Sequence, residues 1–165
     1  MCVSIQCRLK SVSVREAALR RVTRKLLRLL DEAGAEVCVA LVGDTRMRRL
    51  NRTYRNKDRT TDVLAFAYRE VKSGVAPLLG DVVISIPVAR RQAKACSHSL
   101  DEEVLRLLIH GVLHLAGYDH ERSRQQARRM QRKETELFET LTPLPALVVE
   151  ACSLSPRGCT DRGHR

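Results

Sequence analysis

The sequence predicts an α/β (α+β) domain in which a small mixed four-stranded sheet is covered by about five helices. Three observations carry that prediction. Short alternating or β-branched stretches are interleaved with stretches of helical period, in the order strand, helix, strand, helix, strand, strand and then three helices. One late helix, Leu100 to Ala116, is apolar on nearly every side and should be the central buried one. The chain has 165 residues without an internal repeat, enough for one domain with a real core.

Val3, Ile5, Cys7 and Leu9 alternate with Ser4, Gln6 and Arg8, the period of a half-buried strand. Ser13 with Glu16 has the capping-box pattern and opens an amphipathic helix from Val14 to Leu30, which Gly34 is expected to end. Glu36 to Val42 is β-branched enough for a second strand. Asp44 is placed to cap a short helix that would turn Met47, Leu50 and Tyr54 inward. Asp62 to Tyr68 and Asp81 to Ile86 read as the third and fourth strands, with Gly74 and Pro77 in the loop between them. Pro87 suits the first position of a helix running to about Ala95. Ser99 with Glu102 forms another capping box at the head of the apolar helix, which carries Val104, Leu107, Leu108, Ile109, Val112 and Leu113 and stops at Gly117. Ser123 caps a last amphipathic helix with Ala127, Met130, Leu137 and Phe138 on one face. From Pro143 the periodicity fails. The domain is expected to span 1–142, with 143–165 a flexible tail, mobile beyond about Val149.

Thirty Lys and Arg against nineteen Asp and Glu leave a net charge of +11, which suits a polyanionic partner. No apolar run approaches the ~18 residues of a spanning helix, and the N-terminus lacks the apolar core of a secretory signal. A cytoplasmic protein without a membrane partner is therefore expected. The charge is concentrated. Val14 to Leu30 carries Arg15, Arg20, Arg21, Arg24, Lys25 and Arg28 against Glu16. Asp44 to Arg59 carries Arg46, Arg48, Arg49, Arg52, Arg55, Lys57 and Arg59 against Asp44 and Asp58. Each stretch nets +5, so the two hold +10 of the +11. Arginine outnumbers lysine, which suits bidentate contacts to phosphate, and Arg46, Arg49, Arg52, Arg55, Lys57 and Arg59 are the candidate contacts. The charge of the first stretch reads equally well as a solvated face. Aromatics are few (Tyr54, Phe66, Tyr68, Tyr118 and Phe138), so a nucleic acid would be held more by its phosphates than by its bases. Cysteines at 2, 7, 38, 96, 152 and 159 form no CxxC pair and are expected to be buried, reduced thiols.

His110, His114 and His120 fall within eleven residues. His110 and His114, four apart on a helix, project from one face and can ligate one ion. Gly117 permits the left-handed turn that would return His120 to the same ion. With His at about 3% of positions, two more at fixed offsets from a given one is a ~0.1% event, and unpaired imidazoles on an apolar helix would be costly. The pattern predicts a metal site on the central buried helix, and three imidazoles with an open fourth position is the arrangement of catalytic zinc. His98 and His164 lie outside it and read as surface residues. The spacing H-x3-H-x2-G-x2-H is that of the metzincin peptidases, except that their glutamate after the first histidine is here Gly111. Zinc alone can bring the pKa of a bound water to roughly 7, so hydrolysis remains open, but the usual proton donor of peptide cleavage is missing. Asp119 could orient a ligand imidazole or merely close a turn, and Asp62 and Asp81 could be strand-end or cleft-lining residues.

Two more stretches complete a pattern. Leu50-Asn51-Arg52-Thr53-Tyr54-Arg55-Asn56-Lys57-Asp58-Arg59-Thr60-Thr61-Asp62-Val63-Leu64-Ala65-Phe66 precedes Leu79-Gly80-Asp81-Val82-Val83-Ile84-Ser85, and the histidine segment follows. Together, over roughly residues 35–140, they resemble the YbeY family of bacterial rRNA-maturation endoribonucleases. The resemblance implies zinc, one ion per chain, on His110, His114 and His120. It also matches Arg55 to a functionally important arginine beside that site, so that Arg55 and His114 are the expected catalytic residues. It implies a single-strand-specific endoribonuclease of 16S rRNA 3′-end maturation and ribosome quality control, with the small ribosomal subunit, its proteins and the GTPase Era as partners. The basic residues of 46–59 then become candidate RNA contacts. Where the family commonly has Ser-Phe-Pro, this chain has Ala65-Phe66-Ala67, a departure expected to leave the ligands untouched. The rival reading is an assembly factor in which zinc only holds two helices together.

Overall fold

The computed structural model describes residues 2–7, 9, 12–68, 78–121 and 123–150. Four strands, β1 (Val3–Cys7), β3 (Glu36–Val42), β4 (Val63–Ala67) and β5 (Leu78–Ser85), form one sheet in the order β1-β3-β5-β4. The strands β1, β3 and β5 run parallel, and β4 joins the edge antiparallel, so the sheet is mixed as the sequence predicts. Around it lie α1 (Glu16–Leu29), α2 (Asp44–Arg55), α3 (Ile86–Ala95), α4 (Leu100–Leu115) and α5 (Arg124–Leu141).

Alternation along the strands divides the interior in two. Val37, Val39 and Leu41 of β3 enter a large core with α1, α3, α4 and α5, while Ala40 and Val42 face a small one built with Met47 and Leu50 of α2. The central place of α4 follows from its composition: ten of its residues, from Glu103 to Leu115, are buried. Gly111 lets it cross the sheet closely. A Cβ there would stand 2.6 Å from Cγ1 of Val82 on β5 and 3.3 Å from Val63 on β4.

Several expectations are corrected. Ser13 caps nothing, because residues 12–14 form a strand, β2 (Val12–Val14), paired antiparallel with β6 (Val148–Glu150); α1 begins two residues later than expected, without a side-chain cap. Asp31 (φ 60°), not Gly34, takes the left-handed position after α1. Gly43 occupies the N-cap of α2, and Asp44 is its first helical residue, accepting from Ser85 Oγ and pairing with Arg91. Tyr54 is 65% exposed rather than inward, and Asn51 is buried in its place beside Met47. Ser85 caps α3, so Pro87 is its second residue. The capping box at Ser99 and the cap at Ser123 form as expected.

Residues 144–150 are not loose. Leu147 is fully buried, its backbone N–H and that of Val148 donate to Asp101 Oδ1 at the head of α4, and its carbonyl accepts from Arg15 N. The start of the expected tail is thus part of the domain; residues 151–165 lie outside the described residues, as do Gly74 and Pro77. None of the four described cysteines is buried: Cys2 and Cys96 are exposed, Cys7 and Cys38 half-buried, and all four are free. His98 is half-buried too, hydrogen-bonded to the buried carboxylate of Glu103.

Candidate metal centre

His110 and His114 lie one turn apart near the end of α4. The helix then stops in a Schellman turn: Gly117 (φ 90°) donates to His114 O at 3.0 Å, and Tyr118 donates to Leu113 O at 3.0 Å. The turn folds the chain back and delivers His120. One ligand atom from each of His110, His114 and His120 lies within 4.8 Å of the others, and the ring centroids are 4.7 to 5.3 Å apart.

The donor set fits a metal ion. His110 Nδ1 lies 2.7 Å from Glu134 Oε1 on α5, a contact that orients the ring and turns Nε2 toward the other histidines. That Nε2 faces His114 Nε2 at 3.1 Å. Burial, then the neighbouring His110 and His120, push the His114 pKa below its ordinary 6.5, with Arg55 acting in the same direction and Asp119 opposing. Imidazole nitrogens brought this close are a donor set that suits a metal ion.

Arg55, Thr61, Asp62, Ala65 and the three histidines line one cavity of about 370 Å³. Asn51 holds the segment that closes it. Its buried amide donates to Arg59 O at 2.8 Å, and Asn56 adopts a left-handed turn that ends α2 beside Arg55. Asp62 faces the cavity as a fully bonded carboxylate, accepting from Val63 N, Thr61 Oγ1 and Gln92 Nε2. Burial alone would raise its pKa, but these bonds outweigh it and hold the carboxyl below 3.8. Asp81 points elsewhere and accepts from Tyr68 OH. Asp119 closes the turn with a bond from Glu121 N at 2.9 Å. Glu134 is a carboxylate that orients one of these imidazoles, and the sequence pattern does not single it out.

Of the other candidate contacts, Arg49 and Arg52 line a separate open cavity of about 580 Å³ on α2, where Arg48 pairs in bidentate fashion with Asp58. Arg46, Lys57 and Arg59 are exposed.

Residues 4–142 match the family described as Endoribonuclease YbeY. The chain belongs to the YbeY family. Relatives named Endoribonuclease YbeY include one from Sulfurihydrogenibium sp. (41% identical over 132 residues, 80% of this chain and 87% of that one). Another, from Geobacter metallireducens, is 41% identical over 144 residues, 86% of this chain and 96% of that one. A solution structure from Thermotoga maritima has a similar fold, with a TM-score of 0.59 and 29% identity over 83% of this chain and 87% of that one. The YbeY match reaches further toward the N-terminus than the resemblance read over roughly residues 35–140, taking in α1 and most of β1. Membership makes the chain an enzyme that cleaves RNA. The departure from the family's Ser-Phe-Pro falls on the cavity wall, because Ala65 lines it. The position that peptidases use for their glutamate is closed: at Gly111 the side-chain direction runs into Val82.

Proposed function

We propose that this chain is a zinc-dependent, single-strand-specific endoribonuclease of 16S rRNA 3′-end maturation and ribosome quality control. It acts in the cytoplasm, with the small subunit, its proteins and the GTPase Era as partners. The observation that supports this reading is the convergence of three imidazole donors, one of them fixed by Glu134, in the cavity that Arg55 also lines. His110, His114 and His120 would hold the ion, which supplies Lewis-acid charge to a phosphoryl oxygen or to the attacking oxygen. Arg55 lines a wall of the same cavity, where its guanidinium fork would meet the charge that accumulates on the phosphoryl group. Asp62 and Asn51 keep that wall in position. No described helix is long and apolar enough to cross a membrane.

The test is cleavage of an unpaired rRNA 3′-end substrate by wild type, His114→Ala and Arg55→Ala, prepared identically so that a contaminating nuclease would act alike in all three. Cleavage by wild type alone is expected. Equal cleavage by all three, or none, would point to a binding factor whose ion is structural. Product ends carrying 2′,3′-cyclic phosphate would identify the RNA's own 2′-hydroxyl as nucleophile.

A further inference from the structure

Beside the metal-binding cavity, and sharing Asp62 and His110 with it, a cleft of about 590 Å³ runs between α4 and α5. Two cross-helix pairs line it. His110 meets Glu134 at 2.7 Å, and the Arg106 guanidinium lies 4.0 Å from the centroid of the Phe138 ring. In each helix the partners are four residues apart, so the second pair sits about one turn, roughly 5.4 Å, beyond the first. The charge of the cleft is opposite to that of α2. Asp62, Glu134 and Glu139 line it against Arg106 alone, so it disfavours phosphate. What it offers is a flat stack, the Arg106 guanidinium laid on the Phe138 ring, bordered by hydrogen-bond acceptors.

We propose that this cleft is a base subsite, in which an unpaired nucleobase next to the scissile phosphate stacks on the Arg106–Phe138 pair. Its phosphate would lie on the far side of His110, in the cavity of the three histidines. The inference rests on the reading of the chain as an endoribonuclease of single strands and gives that preference a cause. A paired base has its faces stacked and its edge occupied, whereas an unpaired one can splay out onto an aromatic ring. Phe138 is half-buried against the main core and therefore fixed, while Arg106 is exposed and can shift over the base. Glu139 and Gln131 at the rim can bond the base edge.

The test places one abasic nucleotide in turn at each position of a short unpaired RNA and measures Kd and kcat/KM for wild type and Phe138→Leu. At one position the abasic change should weaken wild type about tenfold, the worth of one base stacked on an aromatic ring. Phe138→Leu should lose a similar factor on intact RNA and less than about twofold more on the RNA abasic at that position. Losses that multiply at every position overturn the subsite, as does a scan with no sensitive position. Arg106→Gln repeats the cycle from the exposed side without touching the core, and Phe138→Tyr should restore binding. The two readings fail separately. If His114→Ala cleaves like wild type the nuclease site is wrong, whereas the coupling in Kd is read without cleavage.

Discussion

The two arginine-rich helices carry the same charge and use it differently. The sequence segments that hold α1 and α2 each net +5. On α1, Arg20 donates to Val3 O of β1 at 3.0 Å and pairs with Glu16, and Lys25 donates to Thr140 O of α5 at 2.9 Å. These cations fasten a helix that already buries Leu19, Leu26 and Leu27 in the large core. On α2, which covers the small core, Arg55 ends at the histidine cavity and Arg49 and Arg52 face an open one. Arg48 on that helix is matched to a carboxylate, that of Asp58. A charge run therefore acquires its role from what the neighbouring elements present to it: carbonyl oxygens beside α1, a metal-ligand cluster beside α2.

That contrast can be broken by experiment. The largest effect is expected from Arg55→Ala. Losing a preorganised donor to developing charge should slow single-turnover cleavage by about 10²–10³, with a far smaller change in RNA affinity. Next, Arg49→Ala with Arg52→Ala should flatten the salt dependence of RNA binding, by roughly 0.7 in log–log slope for each single-strand phosphate left without its arginine. Arg20→Ala on α1 should leave that slope unchanged and instead cost about 0.5–1.5 kcal/mol in a denaturation experiment, the worth of its bond to β1. A slope change from α1 equal to that from α2 would erase the distinction. The smallest effect concerns Asp62, where β4 meets the cavity. Its lowered folded pKa means that its stabilisation is present above the unfolded value and is lost as pH falls through the folded one. Asp62→Asn should thus melt below wild type at neutral pH, and the two should converge only on acidification below 3.8.

The fold and the cluster of three histidines were legible because their signals are local. The period of each strand and helix, the Ser99–Glu102 capping box and the Gly117 turn all lie within a few residues of what they determine. What escaped depends on pairings across the chain. Ser13 looked like a cap because nothing near it announces that residues 12–14 will pair with 148–150. The same partner strand, with Leu147, brought the start of the expected tail into the domain. Glu134 stands 24 residues after His110 on a different helix, where it reads as one more surface glutamate. Asn51 took the inward place expected of Tyr54 because its amide bonds a loop carbonyl, that of Arg59, while it is buried. The cysteines departed from expectation where packing ends: Cys7, the last residue of β1, meets the large core only in part, and Cys38 lies on the face of β3 opposite the buried Val37 and Val39.

The central claim is that the three histidines form the cleaving centre. Its most direct test is to strip the protein with a chelator and titrate zinc back while following cleavage of an unpaired RNA. Activity should vanish on stripping and return with one ion per chain, and His114→Ala should regain none. Undiminished cleavage by the stripped protein would contradict the account.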